Sequence, residues 1–150
     1  MKRFRFPLRP VAVIRAHKEL RAREAFAASV HAYVQAEERL AATRARVAEL
    51  AQVLFDGRGG TFLAAEAASL FRSYRAECDE QLKVERQVIE ARDVMQKRRA
   101  EYLTASRELK VVNKLEEKAR AVHRAASLVE DQAAMDDFAG FRAARRPVLT

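Results

Sequence analysis

The residues that most often do chemistry in proteins are few in this chain and widely spaced. The histidines His17, His31 and His123 and the single Cys78 form no cluster with the spacing of a metal site. The stretch Gly57-Arg58-Gly59-Gly60 lacks the Lys-Ser/Thr pair of a phosphate-binding loop and follows a helical stretch. These patterns predict a protein that is not an enzyme and that needs no metal or other cofactor.

The charged residues have the spacing of helix surfaces rather than of active sites. Glu116 and Arg120, for example, are four residues apart and predict an ion pair along one helix. Charged residues make up 33% of the chain, with only four glycines and three prolines, which is typical of long helices and coiled coils. A single cysteine excludes an internal disulfide, and no apolar stretch is long enough for a membrane span, so we expect a soluble cytoplasmic protein.

The first helix is predicted from about residue 10 to residue 55, because Pro10 suits a first helical position. An earlier apolar set at Val13, His17 and Leu20 has a different phase from the rest, which predicts an irregularity near residues 20–26. From there on a heptad seam is expected at Phe26, Ser29, Tyr33, Ala36, Leu40, Thr43, Val47, Leu50 and Leu54.

A glycine-rich turn at residues 56–60 is predicted to reverse the chain, with positive φ at Gly57, Gly59 and Gly60 and with Thr61 capping the next helix. The second helix is predicted from about residue 61 to 139, stopping at Gly140. Its seam is expected at Leu70, Tyr74, Gln81, Val84, Val88, Ala91, Met95, Tyr102, Ala105, Leu109 and Val112. Beyond Val112 the apolar positions shift to Leu115, Val122 and Val129, which predicts a discontinuity there.

These elements predict an all-α fold for residues 1–150, a single domain in which two long helices form an antiparallel coiled-coil hairpin. At 1.5 Å per residue the helices are about 70 Å and about 120 Å long. The first would reach only about residue 106 of the second, so the residues from about Leu109 onward would overhang. The apolar stripe on this overhang predicts a partner-binding surface. There are three alternatives: residues 1–9 cover the stripe, two molecules pair through it, or the end of the helix is frayed.

The positive charge is concentrated at the chain ends. Residues 1–23 contain eight Lys or Arg and one acid. Residues 24–140 contain eighteen Lys or Arg and twenty Asp or Glu, and the basic tail 141–150 adds three arginines. Clustered charge of this kind favours attraction to an acidic surface. A basic zipper would place its basic helix before a leucine repeat, which is missing after residues 15–23, so we expect no nucleic acid as partner. A nucleic-acid-binding coiled coil stays as an alternative that salt-dependent DNA binding would reveal.

The chain resembles a known family over nearly its whole length, including the stretch from Arg99-Ala-Glu-Tyr-Leu through Leu115-Glu-Glu-Lys. The start Phe4-Arg-Phe-Pro-Leu8-Arg-Pro-Val11 looks like the opening of the flagellar export proteins of the FliJ family, and Glu130-Asp-Gln-Ala-Ala-Met-Asp-Asp is also similar to that family. The resemblance implies an antiparallel coiled coil similar to the central stalk of rotary ATPases. It also implies that the protein, like members of the family, enters the ring of the hexameric type III export ATPase and promotes assembly of that ring. It further implies contact with the export gate and with export chaperones. Injectisome stalk proteins are a sister group.

The resemblance and the charge distribution together assign partners to the two ends of the hairpin. We expect the terminal end, residues 1–23 and about 109–146, to engage the ATPase ring, with candidates Phe4, Phe6, Leu8, Arg15, Arg21, Leu115, Val122 and Val129. The turn end is expected to face the cytoplasmic domain of the export gate membrane protein, with candidates Leu63, Leu70, Phe71 and Tyr74. We expect a protein that is monomeric alone and peripheral at the inner face of the cell membrane. The competing prediction is a self-associating structural scaffold.

Overall fold

Two long helices make up almost all of the described chain in the computed structural model, which describes residues 3–57, 60 and 63–145. Helix α1 spans Arg9–Asp56 and helix α2 spans Ala64–Ala144. No strand occurs within these described ranges. The two helices pack against each other, which confirms the predicted all-α helical hairpin.

Helix α2 begins later and ends later than the sequence predicts. Its first residue is Ala64, and the predicted cap Thr61 lies outside the described residues. The backbone N–H of Leu63 instead donates to the Glu66 carboxylate at 3.4 Å, which is the second half of a capping box. The helix continues through Gly140 to Ala144, because one glycine in a helix costs only about 1 kcal/mol relative to alanine.

The turn uses one of its glycines in the way that the sequence predicts. Gly60 has a φ of +102°, a conformation that side-chain-bearing residues rarely adopt, and its N–H donates to the Gly57 carbonyl at 3.4 Å. Gly57 does not have a positive φ, contrary to the prediction, and Gly59 lies outside the described residues.

The chain divides into two compact units. The turn-side unit comprises residues 20–104, and the terminal unit comprises residues 1–19 together with residues 105–150.

In the turn-side unit the predicted seam is the core. Every predicted seam residue of α1 from Phe26 to Leu54 is buried or half-buried. Phe26 stacks on Tyr102 with ring centroids 6.0 Å apart, and Arg44 pairs with Glu85 at 3.1 Å, which fixes the two helices as antiparallel. Thr43 is only 2% exposed, and its hydroxyl donates to the Arg39 carbonyl at 2.9 Å, so burial leaves no polar atom there unpaired.

The predicted irregularity near residues 20–26 is wrong. The side chains that are turned inward before Phe26 keep the same seven-residue spacing, whereas Val13, His17 and Leu20 are exposed. The inward positions in this part of α1 are Ala12, Arg15, Glu19 and Ala22. The register therefore continues through small and charged residues, which an apolar pattern cannot detect.

The predicted discontinuity after Val112 is wrong for the same reason. Val112 itself is 7% exposed, but Leu115, Val122 and Val129 are 44%, 70% and 70% exposed. The half-buried positions that follow Val112 in unchanged register are Glu116, Ala119 and His123.

The overhang begins later than predicted. Within the terminal unit, Glu108 accepts from both Arg15 and Lys18, so α1 lies beside α2 beyond residue 106. The late start of α2 at Ala64 accounts for only about three residues of this shift, since Phe26 stacks on Tyr102, about twelve residues beyond the position that the predicted pairing gives it. The lead-in, residues 3–8, then continues along α2, where Phe4 reaches His123. The part of α2 without a described partner is therefore residues 124–144.

Candidate interaction surfaces

Helix α1 carries a second apolar row beside its seam. The position that follows the first seam position of each heptad is apolar throughout the turn-side unit. These residues are Leu20, Ala27, Val34, Ala41, Ala48 and Phe55. The large side chains among them are well exposed, at 39% for Leu20, 44% for Val34 and 68% for Phe55. A helix that buried only one seam would place polar residues at these positions.

Helix α2 carries a matching row. Phe71, Leu82 and Ile89 are 57%, 57% and 50% exposed. They are spaced by eleven and seven residues, which places them within about 20° of one another around the helix at about 100° per residue. Cys78, half-buried, lies on the same line, and Leu103 continues it.

The two rows share one face of the turn-side unit. Arg44 lies next to the row of α1, and Glu85 lies next to the row of α2. The two side chains form an ion pair at 3.1 Å between the helices, so both rows lie on the side of the unit where this pair is found. We call this surface the apolar face. It consists of Leu20, Val34, Phe55, Phe71, Leu82, Ile89 and Leu103. In the described ranges these are seven of the ten large apolar side chains that this unit exposes; the other three are Val53, Leu63 and Val94.

The apolar face has the chemistry of a docking site for a further helix. Large apolar side chains at a regular helical spacing on both helices leave a shallow groove that a third apolar stripe can fill. The charges beside it are partly neutralised within the chain, because Arg44 pairs with Glu85. Hydrogen bonding by Gln81 and the nearby Arg44 hold the pKa of Glu85 below its usual value.

The terminal unit is held by a clasp at the start of the chain. Phe4 lies edge-on to His123 with ring centroids 5.5 Å apart, and the Arg120 guanidinium lies 5.7 Å from the centre of the same ring. Arg120 also donates to Glu116 at 2.6 Å, which confirms the ion pair expected from their spacing. Phe6 is half-buried beside them.

Ion pairs join α1 to α2 in this unit. Glu108 accepts hydrogen bonds from Lys18 and from Arg15, and its side chain is 31% exposed. These two cations lower the pKa of the Glu108 carboxyl below its usual value. Arg15, a predicted partner-binding residue, thus forms an ion pair within the fold.

The end of α2 exposes apolar and acidic side chains together. Leu128, Val129, Met135, Phe138 and Phe141 are between 55% and 73% exposed. Four acids and no Lys or Arg lie between Arg124 and Arg142. We call residues 124–144 the exposed end of α2. Arg142 and Arg145 lie over the rings of Phe138 and Phe141, at 6.0 and 4.3 Å.

The structure divides the predicted partner-binding residues into exposed and half-buried ones. Leu8, Arg21, Leu63, Phe71, Leu115, Val122 and Val129 are exposed. Phe4, Phe6, Arg15, Leu70 and Tyr74 are half-buried; of these, Tyr74 lies beside Cys78, whose thiol raises the pKa of the phenol. The sequence interpretation missed Leu20, Val34, Phe55, Leu82, Ile89 and Leu103. Reading the position after the first seam residue of each heptad would have found Leu20, Val34 and Phe55, because that row of α1 contains no charge. The row of α2 is interrupted by Arg75 and Gln96, which hides Leu82, Ile89 and Leu103.

No cluster of three or more His, Cys, Asp or Glu side chains in the described residues could hold a metal ion. Within the same residues, no helix combines the length and the hydropathy that crossing a membrane requires.

Comparison with known proteins identifies the family. The family model described as flagellar FliJ protein matches residues 4–147. No curated protein and no solved structure gives a significant match to the chain.

Proposed function

The chain belongs to the flagellar FliJ protein family, whose members are components related to flagellar export, and we propose that it is a non-enzymatic stalk and chaperone-escort component that binds the export ATPase ring and the export gate. The apolar face of the turn-side unit is the observation that carries this proposal. A two-helix unit that already buries one seam gains nothing in its own stability from a second exposed row. A partner that covers this row gains the burial of seven large side chains.

The apolar face is the surface for the export gate. It includes Phe55 and Phe71, which lie near the turn, and it extends along both helices to Leu20 and Leu103. A gate segment that forms an amphipathic helix would fit the groove with its apolar side chains. The gate-binding surface is therefore broader than the turn, and export chaperones with exposed apolar helices would compete for it.

The exposed end of α2 is the surface for the ATPase ring. It presents Leu128, Met135 and Phe138, none of which is covered in the terminal unit. Its acids favour a partner with basic residues, and they disfavour pairing with a second copy. In an antiparallel pair centred on this segment, Glu130 and Asp131 would face Asp136 and Asp137 of the other copy. This argument favours a monomer over the self-associating scaffold.

A binding experiment with matched surface variants tests the gate assignment. Replacing Phe71 and Leu82 by Ser removes two exposed side chains of the apolar face and should leave the fold intact. We expect affinity for the cytoplasmic domain of the gate to fall by about 3 kcal/mol, which is about 100-fold. Val53→Ser with Val94→Ser is the control, because these residues are exposed at 43% and 51% on the opposite edge.

The same variants separate the two partners. The Phe71 and Leu82 changes should leave assembly and turnover of the ATPase hexamer unchanged, whereas Leu128→Ser with Phe138→Ser should weaken both. Equal gate affinity of the Phe71/Leu82 variant and the Val53/Val94 control would refute the gate surface. Sedimentation of the full chain should show a monomer, and a tight dimer would favour the scaffold.

A further inference from the structure

A strongly basic cleft lies between the lead-in and α2 in the terminal unit. It has a volume of about 490 Å³ and is lined by Arg3, Phe4, Arg5, Phe6, Pro7, Arg9, Glu116 and Arg120. Four guanidinium groups thus line it together with one carboxylate. A cleft of this size falls within the usual range for small-molecule sites, about 300 to 1,000 Å³.

The positive charge of this region is not balanced by the protein itself. Residues 3–19 and 105–124 contain eleven Lys or Arg and four acids. Three of the four acids have a basic partner: Glu108 has Arg15 and Lys18, Glu116 has Arg120, and Glu117 has Lys114. None of the ion pairs in the described chain involves Arg3, Arg5 or Arg9.

One cation of the cleft and the backbone that carries another are held in place. Arg120 is fixed on one wall by its hydrogen bond to Glu116 and by the Phe4 ring. The backbone of Arg9 is also fixed beside the cleft, because it is the first residue of α1 and its backbone N–H donates to the Phe6 carbonyl at 3.2 Å. The first turn of α1 contains no acid, so the positive end of the helix dipole adds to the field.

We propose that this cleft binds an anion that carries several phosphate groups. Planar guanidinium groups bind phosphate through paired N–H donors, and the four arginines that line the cleft, Arg3, Arg5, Arg9 and Arg120, offer more N–H donors than the oxygens of one phosphate can accept. The phosphates of a free nucleotide and those of an anionic membrane surface have this chemistry in common. The cleft is separate from the apolar face and from the exposed end of α2, and its occupancy is a property beyond the proposed export role.

Titration calorimetry of the full chain with inorganic tripolyphosphate, at about 50 mM salt, tests the site. Replacing Arg3, Arg5 and Arg9 together by Gln should weaken binding at least about tenfold, since these exposed residues supply most of the free cations. The control replaces Arg39, Arg72 and Arg99 by Gln, three exposed arginines of the turn-side unit, and should stay within about twofold of the wild type. Circular dichroism confirms that each variant is folded.

Two further probes distinguish the sources of phosphate. ATP should bind with the same dependence on the three arginines if a nucleotide is the occupant. Co-sedimentation with phosphatidylglycerol vesicles, but not with phosphatidylcholine vesicles, should show that dependence if a membrane surface is the occupant. Failure of all the phosphate probes to bind overturns the proposal. An equal loss in the two triple variants also overturns it, because general electrostatic attraction then explains the binding.

Discussion

The two units use one heptad register with very different side chains. In the turn-side unit the inward positions include Phe26, Leu40 and Val84, and the Phe26 ring stacks on Tyr102. In the terminal unit the inward positions of α1 are Ala12, Arg15 and Glu19. The turn-side unit is thus stabilised mainly by a long apolar seam. In the terminal unit Ala105 and Val112 bury apolar surface from α2, while the facing positions of α1 contribute ion pairs and the lead-in adds Phe4.

This difference has consequences for which unit opens more easily. Burying a large apolar side chain stabilises by about 1.5 to 3 kcal/mol, whereas an exposed ion pair contributes about 0 to 1 kcal/mol. Local opening should therefore be more frequent in the terminal unit than in the turn-side unit. Rearrangement on partner binding should therefore cost less free energy in the terminal unit than in the turn-side unit.

The largest effect is expected from the seam of the turn-side unit. Leu40 is 9% exposed, and Leu40→Ala should lower the free energy of unfolding by about 2 to 3 kcal/mol. Leu115→Ala is the control in the terminal unit, where the side chain is 44% exposed, and should cost less than about 0.5 kcal/mol. Urea unfolding followed by circular dichroism measures both. Similar losses in the two variants would show that burial in the seam does not determine the loss of stability.

The hairpin and the turn-side seam could be predicted from the sequence because large apolar residues mark them. The nine seam positions from Phe26 to Leu54 follow a strict spacing, and the glycine-rich stretch marks the reversal. The register of the terminal unit could not be predicted in the same way. There the inward residues are Arg15, Glu116 and His123, while Val13 and Val122 point outward.

The candidate surfaces were predictable only in part, for a related reason. Phe71 and Val129 were identified as apolar residues near an end of the hairpin. To find the whole apolar face, one must know that the exposed apolar row of α1 and that of α2 lie on the same side of the hairpin. The Arg44–Glu85 pair shows this, because each of its residues lies next to the row of its own helix. The basic cleft depends on the lead-in running back along α2, which places Arg3 and Arg5 near Arg120.

An intermediate effect is expected from the clasp. Phe4→Ala removes the ring that lies against Arg120 and His123, at a cost of about 1 kcal/mol. The loss should be local, so hydrogen exchange should accelerate at residues 112–123 and stay unchanged at residues 26–54. Phe138→Ala, which removes a 61% exposed ring, should leave exchange in both segments unchanged. Faster exchange throughout α1 would mean that the clasp stabilises both units.

The smallest effect is expected from the ion pairs, and pH reveals it. Lys18 and Arg15 lower the pKa of Glu108, so the charged carboxylate stabilises the fold above the ordinary pKa of a Glu side chain, about 4.3. This contribution is lost as pH falls through the lowered pKa, because the protonated carboxyl no longer attracts the cations. The melting temperature of the wild type should therefore exceed that of Glu108→Gln near neutral pH, and the difference should shrink as the solution is acidified below about pH 4.

The matching change in the other unit sharpens this comparison. Gln81 and Arg44 lower the pKa of Glu85, so Glu85→Gln should show the same pH dependence. The loss caused by Glu85→Gln should be a smaller fraction of the stability of the turn-side unit than the loss caused by Glu108→Gln is of the terminal unit. The reason is that Leu40 and Val84 bury apolar surface in the turn-side unit. Amide exchange at residues 105–123 should thus respond more to Glu108→Gln than exchange at residues 80–90 responds to Glu85→Gln. The opposite order would show that the terminal unit does not depend on its ion pairs, and the contrast between the units would then rest on the clasp alone.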